Sequence, residues 1–292
     1  MTLEQLRIFV AVAEREHITQ AARALNLTQS ATSAAIAALE ARHATQLFNR
    51  VGRRIELTEA GRLFLAEARA VLARAAAAEN VLADLAELRR GSLRLAASQT
   101  VANYWLPPLM HRYRRAYPGI ELKLSIGNTE TVQMQVHQGD ADLGFVEGDI
   151  ADENLDAMPV ANDELLLVGK PGLAPKGRKL TAADLVALPW VVREPGSGTR
   201  AMSEATLAAL GVDPEQRNVV LQLPSNEAVR SAALSGAGVA VLSRIVVEAA
   251  LLAGTLETLN MRLPPRRFYV LREKHRYATR AEKAFITMLE RD

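Results

Sequence analysis

The chain has 292 residues, 49% of them hydrophobic, with 35 Lys and Arg against 33 Asp and Glu. That length exceeds one typical domain and predicts two or three units with sizeable cores, while the near-balanced charge says little about partners. No cysteine occurs, which excludes disulfides, thiolate metal sites and cysteine redox sensing. The first residues, MTLEQLRIFV, lack a basic stretch followed by a long apolar run, and no uncharged apolar run reaches membrane-spanning length. The expectation is a soluble cytoplasmic protein with no leader and no membrane partner.

Leu3 to Glu14 carries Leu6, Phe9, Val10 and Ala13 at helical spacing and predicts an amphipathic helix. From Ile18 to Leu39, small residues (Ala21, Ala22, Ala31, Ala35) sit between the apolar anchors Ile18, Leu25, Leu27, Ile36 and Leu39. That spacing suits two short helices meeting at a tight angle around a turn near Asn26 and Leu27. Thr28 can cap the second helix, and Gln29, Ser30, Thr32 and Ser33 lie in or near its first turns. A helix opening on short polar side chains can enter the major groove of DNA and contact base edges and phosphates. The segment reads as a helix-turn-helix with Thr28, Gln29, Ser30, Thr32 and Ser33 as candidate DNA contacts.

Beyond Leu47-Phe48, the stretch from Arg50 to Leu57 reads as a short β-wing turning at Gly52 with basic residues at its tip. Arg50, Arg53 and Arg54 are then candidate contacts to the DNA backbone or minor groove. The first 54 residues hold seven Arg, four Glu and no Lys or Asp, a local excess that fits phosphate contact. Thr58 caps a segment running to about Arg90 without proline and rich in Ala, Leu, Glu and Arg. Leu63, Ala66, Ala70, Ala73, Ala77, Val81, Leu85 and Leu88 form an apolar stripe along it. A partner helix from a second subunit is the simplest cover for that stripe; packing against its own chain is the alternative.

At Gly91-Ser92 the pattern changes. Apolar runs at Leu93–Ala97, Ile120–Ile126, Ala141–Val146, Leu165–Val168, Trp190–Val192, Val219–Leu223, Val239–Leu242 and Phe268–Leu271 read as strands. Helical patterns at Val101–Tyr117, Thr131–Gln138, Thr199–Leu210 and Ala228–Ser235 lie between them. Such alternation implies a mainly parallel sheet with helices on both faces, and about 200 residues can hold two such sheets with a cleft between.

The whole layout resembles the LysR-type transcriptional regulators. The likeness is most specific in Leu3–Gly61, where LEQLRIFVAVAE precedes the helix-turn-helix and LFNRVGRRIELTEAG follows it. Ala34 departs from the pattern where a basic or larger polar residue is common, and Ala44 departs where glycine is frequent. The first shifts DNA contact onto Gln29, Ser30, Ser33 and the wing. The resemblance implies a winged helix-turn-helix over residues 1–58, a linker and dimerisation helix over 59–90, and a periplasmic-binding-protein-like α/β effector domain over 91–292. One subdomain would combine about 91–161 with 267–292, and the other would span about 162–266. It also implies a homodimer or homotetramer on a pseudo-palindromic promoter site in double-stranded DNA, with RNA polymerase as a further partner. LPPLMHRYRRAYPGIEL, NTETV, GDADLGFVEG and VREPGSGTR resemble the subgroup of sulfur-assimilation and carbon-fixation regulators, and sulfite-responsive members in particular.

Three loops, Ser98–Thr100, Asn128–Glu130 and Glu194–Arg200, each follow a strand and precede a helix, so they should face one cleft. Amides at helix N-termini favour anions there. Candidate effector contacts are Ser98, Gln99, Thr100, Asn128, Thr129, Glu147, Ser197, Gly198, Thr199, Arg200 and Asn226. Arg200 would either neutralise an anion or pair with Glu147 or Glu194. A sulfite- or sulfate-like oxyanion, or an organic carboxylate, suits this donor-rich set. Trp105 and Trp190 read as packing residues. The five histidines have no metal-like spacing, PGSG lacks the lysine of a phosphate loop, and Ser197 has no histidine partner, so no metal, cofactor or catalytic residue is expected. A solute-binding protein of a transport system is the alternative reading, and an enzyme ranks last.

Overall fold

In the first helix, α1 (Leu3–Arg15), Thr2 closes a capping box with Gln5: the Gln5 amide donates to Thr2 Oγ1 at 3.2 Å, and the Thr2 amide to Gln5 Oε1 at 3.0 Å. The computed structural model describes residues 1–51, 54–85, 91–148, 150, 152–175 and 178–290. It separates into a unit containing Met1–Leu85 and one containing Ala86–His137 and Ala141–Asp292.

In the first unit α1 is followed by α2 (Ile18–Ala24) and α3 (Gln29–His43). The turn between them places Asn26 at φ +55°, and the Leu27 amide donates to Ala22 O at 2.8 Å. Asparagine tolerates that left-handed geometry better than most residues. Ala21 and Ala22 are buried at the crossing. Strands β1 (Phe48–Val51) and β2 (Arg54–Leu57) pair antiparallel. Glu40 of α3 fixes their entry by accepting from the amides of Leu47 at 2.7 Å and Phe48 at 3.1 Å.

The core joins Leu6, Phe9 and Val12 to Ile36, Leu39, Leu47 and Ile55. Full burial of a side chain such as Phe9 contributes about 2–3 kcal/mol. Helix α4 (Glu59–Leu85) starts from Thr58, whose Oγ1 accepts from the Gly61 amide at 2.9 Å. Phe64 of α4 meets Phe9, with ring centroids 4.8 Å apart. Of the apolar stripe, Leu63 is 70% exposed, and Ala66 and Ala70 are exposed as well. The chain's own unit leaves that part uncovered. Leu88 lies outside the described residues.

The second unit holds a five-stranded sheet in the order β4-β3-β5-β12-β6: β3 (Gly91–Ser98), β4 (Ile120–Gly127), β5 (Leu143–Glu147), β6 (Leu155–Asp163) and β12 (Arg266–Glu273). Its centre, β4-β3-β5, is parallel; β12 runs antiparallel to both β5 and β6. Helices α5 (Leu106–Ala116) and α11 (Arg280–Leu289) cover one face through Leu109, Tyr113 and Phe285. Helix α6 (Thr129–Gln138) covers the other with Val132 and Val136.

The other lobe of this unit contains β7 (Leu165–Gly169), β8 (Pro189–Arg193), β9 (Asn218–Leu223), β10 (Ala240–Ser243) and β11 (Glu257–Thr258). Its ladders are β10-β7-β11, antiparallel, and β8-β9, parallel, joined by a parallel bridge from Trp190 to Val239. Alternate residues pack to opposite faces. Leu165, Leu167, Trp190, Val192, Val239 and Val241 face α7 (Ala182–Ala187) and α8 (Gly198–Ala209). Val168, Val191, Ala240 and Leu242 face α9 (Asn226–Ser235) and α10 (Arg244–Leu252). Both faces are apolar, as in a sheet buried on two sides.

The expected mainly parallel sheet is thus parallel only in part. Strands β6 and β12 are the segments by which the chain leaves and re-enters the first sheet, and β10 and β11 return beside β7 against its direction. Only Glu164 separates β6 from β7, so the chain passes directly from one sheet to the other.

Candidate functional site

At the head of α3, Thr28 caps the helix by accepting from the Ala31 amide at 3.1 Å and meets the Ser30 hydroxyl at 3.0 Å. Thr28, Gln29 and Ser30 are exposed and Ser33 is half-buried. Thr32 differs: it is fully buried and its hydroxyl donates to Thr28 O at 3.1 Å. It supports the first turn from inside and does not present a contact to DNA. Arg50 lies on β1 and Arg54 on β2, with Val51 paired to Arg54 beside the hairpin loop. Gly52 and Arg53, the expected tip of the wing, lie outside the described residues.

In the second unit the polar residues singled out from sequence converge at the C-terminal ends of β3, β4 and β5 and the N-termini of α6, α8 and α9. Ligands of open α/β sheets bind at such strand ends. A carboxylate sits among them. Glu147, at the end of β5 and 2% exposed, accepts from the Ser98 hydroxyl on Oε2 and lies 3.4 Å from Thr100 Oγ1 on Oε1. Its backbone carbonyl accepts from Thr129 Oγ1 at 3.2 Å. Asn226 donates from Nδ2 to Thr100 Oγ1 at 2.9 Å and from its amide to Gln99 Oε1 at 2.9 Å. Gln99 in turn donates to Pro224 O at 2.7 Å. The Ser98–Thr100 loop is therefore tied across the cleft to the start of α9.

Two residues on the crossover strands complete the network. Arg266, whose side chain is buried, donates from Nε to Asp163 at 2.6 Å and from Nη1 to Thr199 Oγ1 at 2.9 Å. The same Nη1 stands 3.7 Å from Glu147 Oε1. Asp163 also accepts from the Ser243 hydroxyl at 2.5 Å. Arg193 pairs with Glu194 at 2.7 Å and donates to Asn226 Oδ1. Burial opposes ionisation of Glu194, but the Arg193 guanidinium overrides it and holds the carboxyl below its ordinary value. Asn128 bridges to Glu194 at 3.3 Å and to Pro195 O at 3.2 Å.

Arg200 meets neither Glu147 nor Glu194. Its Nε pairs with Glu204 at 2.8 Å, one helical turn on, and its Nη1 donates to Arg193 O at 3.0 Å and Gln222 Oε1 at 2.8 Å. That i, i+4 spacing on α8 was the nearer choice.

Backbone approach depends on glycine at two places. A Cβ on Gly198 would stand 2.4 Å from Glu147 O, so the N-terminus of α8 presses directly on the end of β5. Gly196 has φ +81°, and a Cβ there would meet a Glu130 carboxylate oxygen at 2.4 Å. Beside these glycines opens a pocket of about 540 Å³ bounded by Thr129, Glu130, Glu147, Ser197, Arg200 and Glu204. Among the described lining residues, Glu130, Glu147 and Glu204 stand against the single cation Arg200.

Sequence reasoning brought the cleft residues together and placed Glu130 on a cleft loop, though not among the effector contacts, but missed Arg266, Asp163 and Arg193. Asp163 and Arg266 sit at the two points where the chain changes sheets, and charged residues bounding such crossovers are the signal that could have found them. Among the described residues, no cluster of three or more His, Cys, Asp or Glu could hold a metal ion, and no helix is long and apolar enough to cross a membrane.

Comparison with known proteins bears on both units. The family described as "LysR substrate binding domain" matches residues 86–292, and "Bacterial regulatory helix-turn-helix protein, lysR family" matches residues 3–62. The chain is 34% identical over 288 residues to the uncharacterized HTH-type transcriptional regulator YeiE of Escherichia coli K12, covering 98% of this chain and 96% of the relative. It is 32% identical over 266 residues to a probable RuBisCO transcriptional regulator of Trieres chinensis, covering 89% and 86%. Among solved structures, CbnR, a LysR family transcriptional regulator, aligns with a TM-score of 0.70 at 21% identity over 100% of this chain and 99% of that one. The regulatory domain of Synechocystis PCC6803 CcmR, in complex with 2-PG, aligns at 0.62 and 28% identity over 68% and 96%. These matches set aside the transport and enzyme alternatives. The chain belongs to the LysR family of bacterial helix-turn-helix transcriptional regulators, with a DNA-binding head and an effector-binding domain.

Proposed function

We propose that a small anionic effector, a sulfite- or sulfate-like oxyanion or an organic carboxylate, binds in the cleft between the two α/β lobes and alters how the head engages DNA. The observation that carries this reading is the pocket of about 540 Å³ that opens onto Ser197–Arg200 at the start of α8, opposite Thr129 and Glu147. The first-turn amides of a helix are left without intrahelical acceptors and lie at the positive end of its dipole. The CcmR regulatory domain, in complex with 2-PG, supports the reading. In this scheme residues 1–58 form the head, 59–90 the linker and 91–292 the effector domain, divided at about residues 161 and 267. Thr28, Gln29, Ser30 and Ser33 approach base edges, and Arg50, Arg53 and Arg54 approach phosphates. A cytoplasmic dimer or tetramer, joined through the exposed stripe of α4, places two heads on a pseudo-palindromic promoter site. The effector acts by binding one arrangement of the lobes better than another.

Thermal-shift titration of the full chain with sulfite, sulfate and a panel of organic carboxylates tests the cleft. At least one of them should raise the melting temperature, and Ser197→Ala should reduce that shift while footprints on DNA persist. No shift with any member of the panel would count against an anionic effector. For the head, Arg53→Ala should weaken binding to all sequences and lower the salt slope by roughly one unit. An unchanged slope would clear Arg53 of phosphate contact.

A further inference from the structure

We infer that the second lobe holds one small monovalent anion, a halide of the chloride class, in a cavity beneath α8 and apart from the cleft. The cavity lies between α8 and the sheet. It is bounded by Trp190 of β8, Val241 of β10, Thr199, Arg200 and Ser203 of α8, and Arg217 just before β9. Every described lining residue belongs to this lobe, whereas Thr129, Glu130 and Glu147 of the other lobe bound the effector pocket. The centre of a water-sized sphere has about 10 Å³ in which to move, room for one such occupant and too little for a polyatomic ion.

What that occupant is follows from Arg217, whose side chain is 2% exposed. Its Nε donates to Pro214 O at 2.8 Å and its Nη2 to Glu204 Oε1 at 2.7 Å, and neither Pro214 nor Glu204 bounds the cavity. Nη1, on the remaining side of the guanidinium, is buried and has no hydrogen-bond partner among the described residues. A buried charged donor without an acceptor carries a larger desolvation penalty than a neutral one.

The charge is unmatched as well. Glu204 is shared, since its Oε1 also pairs with Arg200 at 2.8 Å. Arg193, which lines the cavity too, pairs with Glu194 at 2.7 Å. Three guanidiniums around the cavity are thus paired with two carboxylates, leaving one positive charge over. Burial, joined by repulsion from Arg200, outweighs the pull of Glu204 and lowers the pKa of Arg217 below its ordinary value. The Trp190 ring lies beside this cation, its centroid 5.6 Å from Arg217 Cζ, and its own N–H donates to Leu185 O at 2.7 Å.

A single halide answers both deficits. It accepts from Arg217 Nη1 and from the Ser203 hydroxyl, and its charge cancels the local excess. The apolar walls, Trp190 and Val241, favour a weakly hydrated ion such as chloride or bromide over fluoride, which is costlier to desolvate. A water would accept from Nη1 and leave the charge unmatched.

Crystals of the full chain soaked in sodium bromide test the assignment by anomalous diffraction. A bromide peak in contact with Arg217 Nη1 and the Ser203 hydroxyl is expected. Water there without an anomalous signal, or bromide in the interlobe cleft alone, overturns the assignment. In solution, thermal unfolding is followed by tryptophan fluorescence in sodium chloride and in sodium fluoride at equal ionic strength. With chloride at a few times its dissociation constant, the midpoint should stand about 2–4 °C above that in fluoride. Arg217→Met should erase that difference. No difference in the unsubstituted protein, or an equal one in the variant, overturns the assignment. Should Arg217→Met fail to fold, Ser203→Ala takes its place: it should shrink the difference, and an unchanged difference together with no bromide peak overturns the site. No effector enters these measurements, so failure here leaves the cleft reading standing.

Discussion

The head of α3 and the head of α8 are built from the same kinds of residue and end in opposite states. Both begin with a hydroxyl cap, Thr28 in one and Ser197 in the other, followed by short or polar side chains. Around α3, Gln29 and Ser30 remain exposed. Around α8, Ser197, Gly198 and Thr199 are all buried, and Thr199 is bonded to Arg266, far along the chain. The difference lies in what returns to cover each helix start. Among the described residues of the head's own unit none buries Thr28, Gln29 or Ser30, whereas two crossover strands carry Asp163 and Arg266 into the cleft. A polar helix start is an open contact surface only where no later segment is folded over it.

Removing the covering cation breaks that contrast most severely. Arg266→Ala leaves Asp163 and Glu147 buried with no guanidinium, and loss of one partner from a buried pair costs about 3–5 kcal/mol. Trp105 and Trp190 both lie in the second unit, so urea unfolding followed by tryptophan fluorescence reports on that unit. A midpoint within error of the unsubstituted protein would mean that the network is held by packing and not by charge.

Burial of a polar group away from the cleft sharpens the same point. Glu282 caps α11 with Thr279, its Oε1 accepting from the Thr279 hydroxyl at 3.2 Å. Burial raises its pKa from 4.5 to about 7, against the pull of Arg276 and with added repulsion from Asp142. Between about pH 4.5 and 7 the folded chain holds a proton that the unfolded chain releases, so stability is lost as pH rises through that window, by roughly 3 kcal/mol. Glu282→Gln should flatten the dependence of the urea midpoint on pH over that range. An equal slope in the variant would assign the effect to another group.

These contrasts mark what could be read from the sequence. Strands β3, β5, β7, β8 and β10 announce themselves as apolar runs because both faces of their sheets are covered. Strand β6 was missed because it is an edge strand: LDAMPVAND carries Pro159, and its outward positions are exposed. Proline is tolerated at an edge, where the lost amide faces no partner. The helix-turn-helix was legible through Ala21, Ala22 and the Thr28 cap, yet the inward turn of Thr32 was not, since threonine serves equally as a contact or as a buried donor to the preceding turn. In the cleft the donors were legible as short polar residues at strand ends. That Ser98 and Thr100 face Glu147 was not, because a pairing across some fifty residues depends on sheet order, β3 beside β5, and not on spacing.

The head's own cap gives a smaller effect. Thr28→Ala removes the acceptor of the Ala31 amide and should cost about 1 kcal/mol. The head contains neither Trp nor Tyr, so hydrogen exchange of the α3 amides is the suitable measurement. A loss comparable to that of Arg266→Ala would show that the exposed helix start is as deeply tied into its fold as the buried one, and the contrast would fail.

The C-terminal ends of two helices test the contrast with least perturbation. Helix α3 ends at Ala44 with φ +47°, and α9 ends at Gly236 with φ +89°. The left-handed region places an L side chain too near the following carbonyl, at about 1–2 kcal/mol, which glycine avoids while losing more backbone entropy on folding. Ala44 is exposed, so its methyl contributes little packing in return. Ala44→Gly should therefore stabilise the head by about 0.5–1 kcal/mol, read as slower exchange of the last amides of α3. Gly236→Ala should do the opposite to α9 by at least as much, because a Cβ there also meets Lys170 Cδ at 3.2 Å. Opposite signs follow from one rule applied to two helices. Faster exchange in Ala44→Gly would mean that the entropy of glycine outweighs the strain, and that the head holds its alanine at no cost.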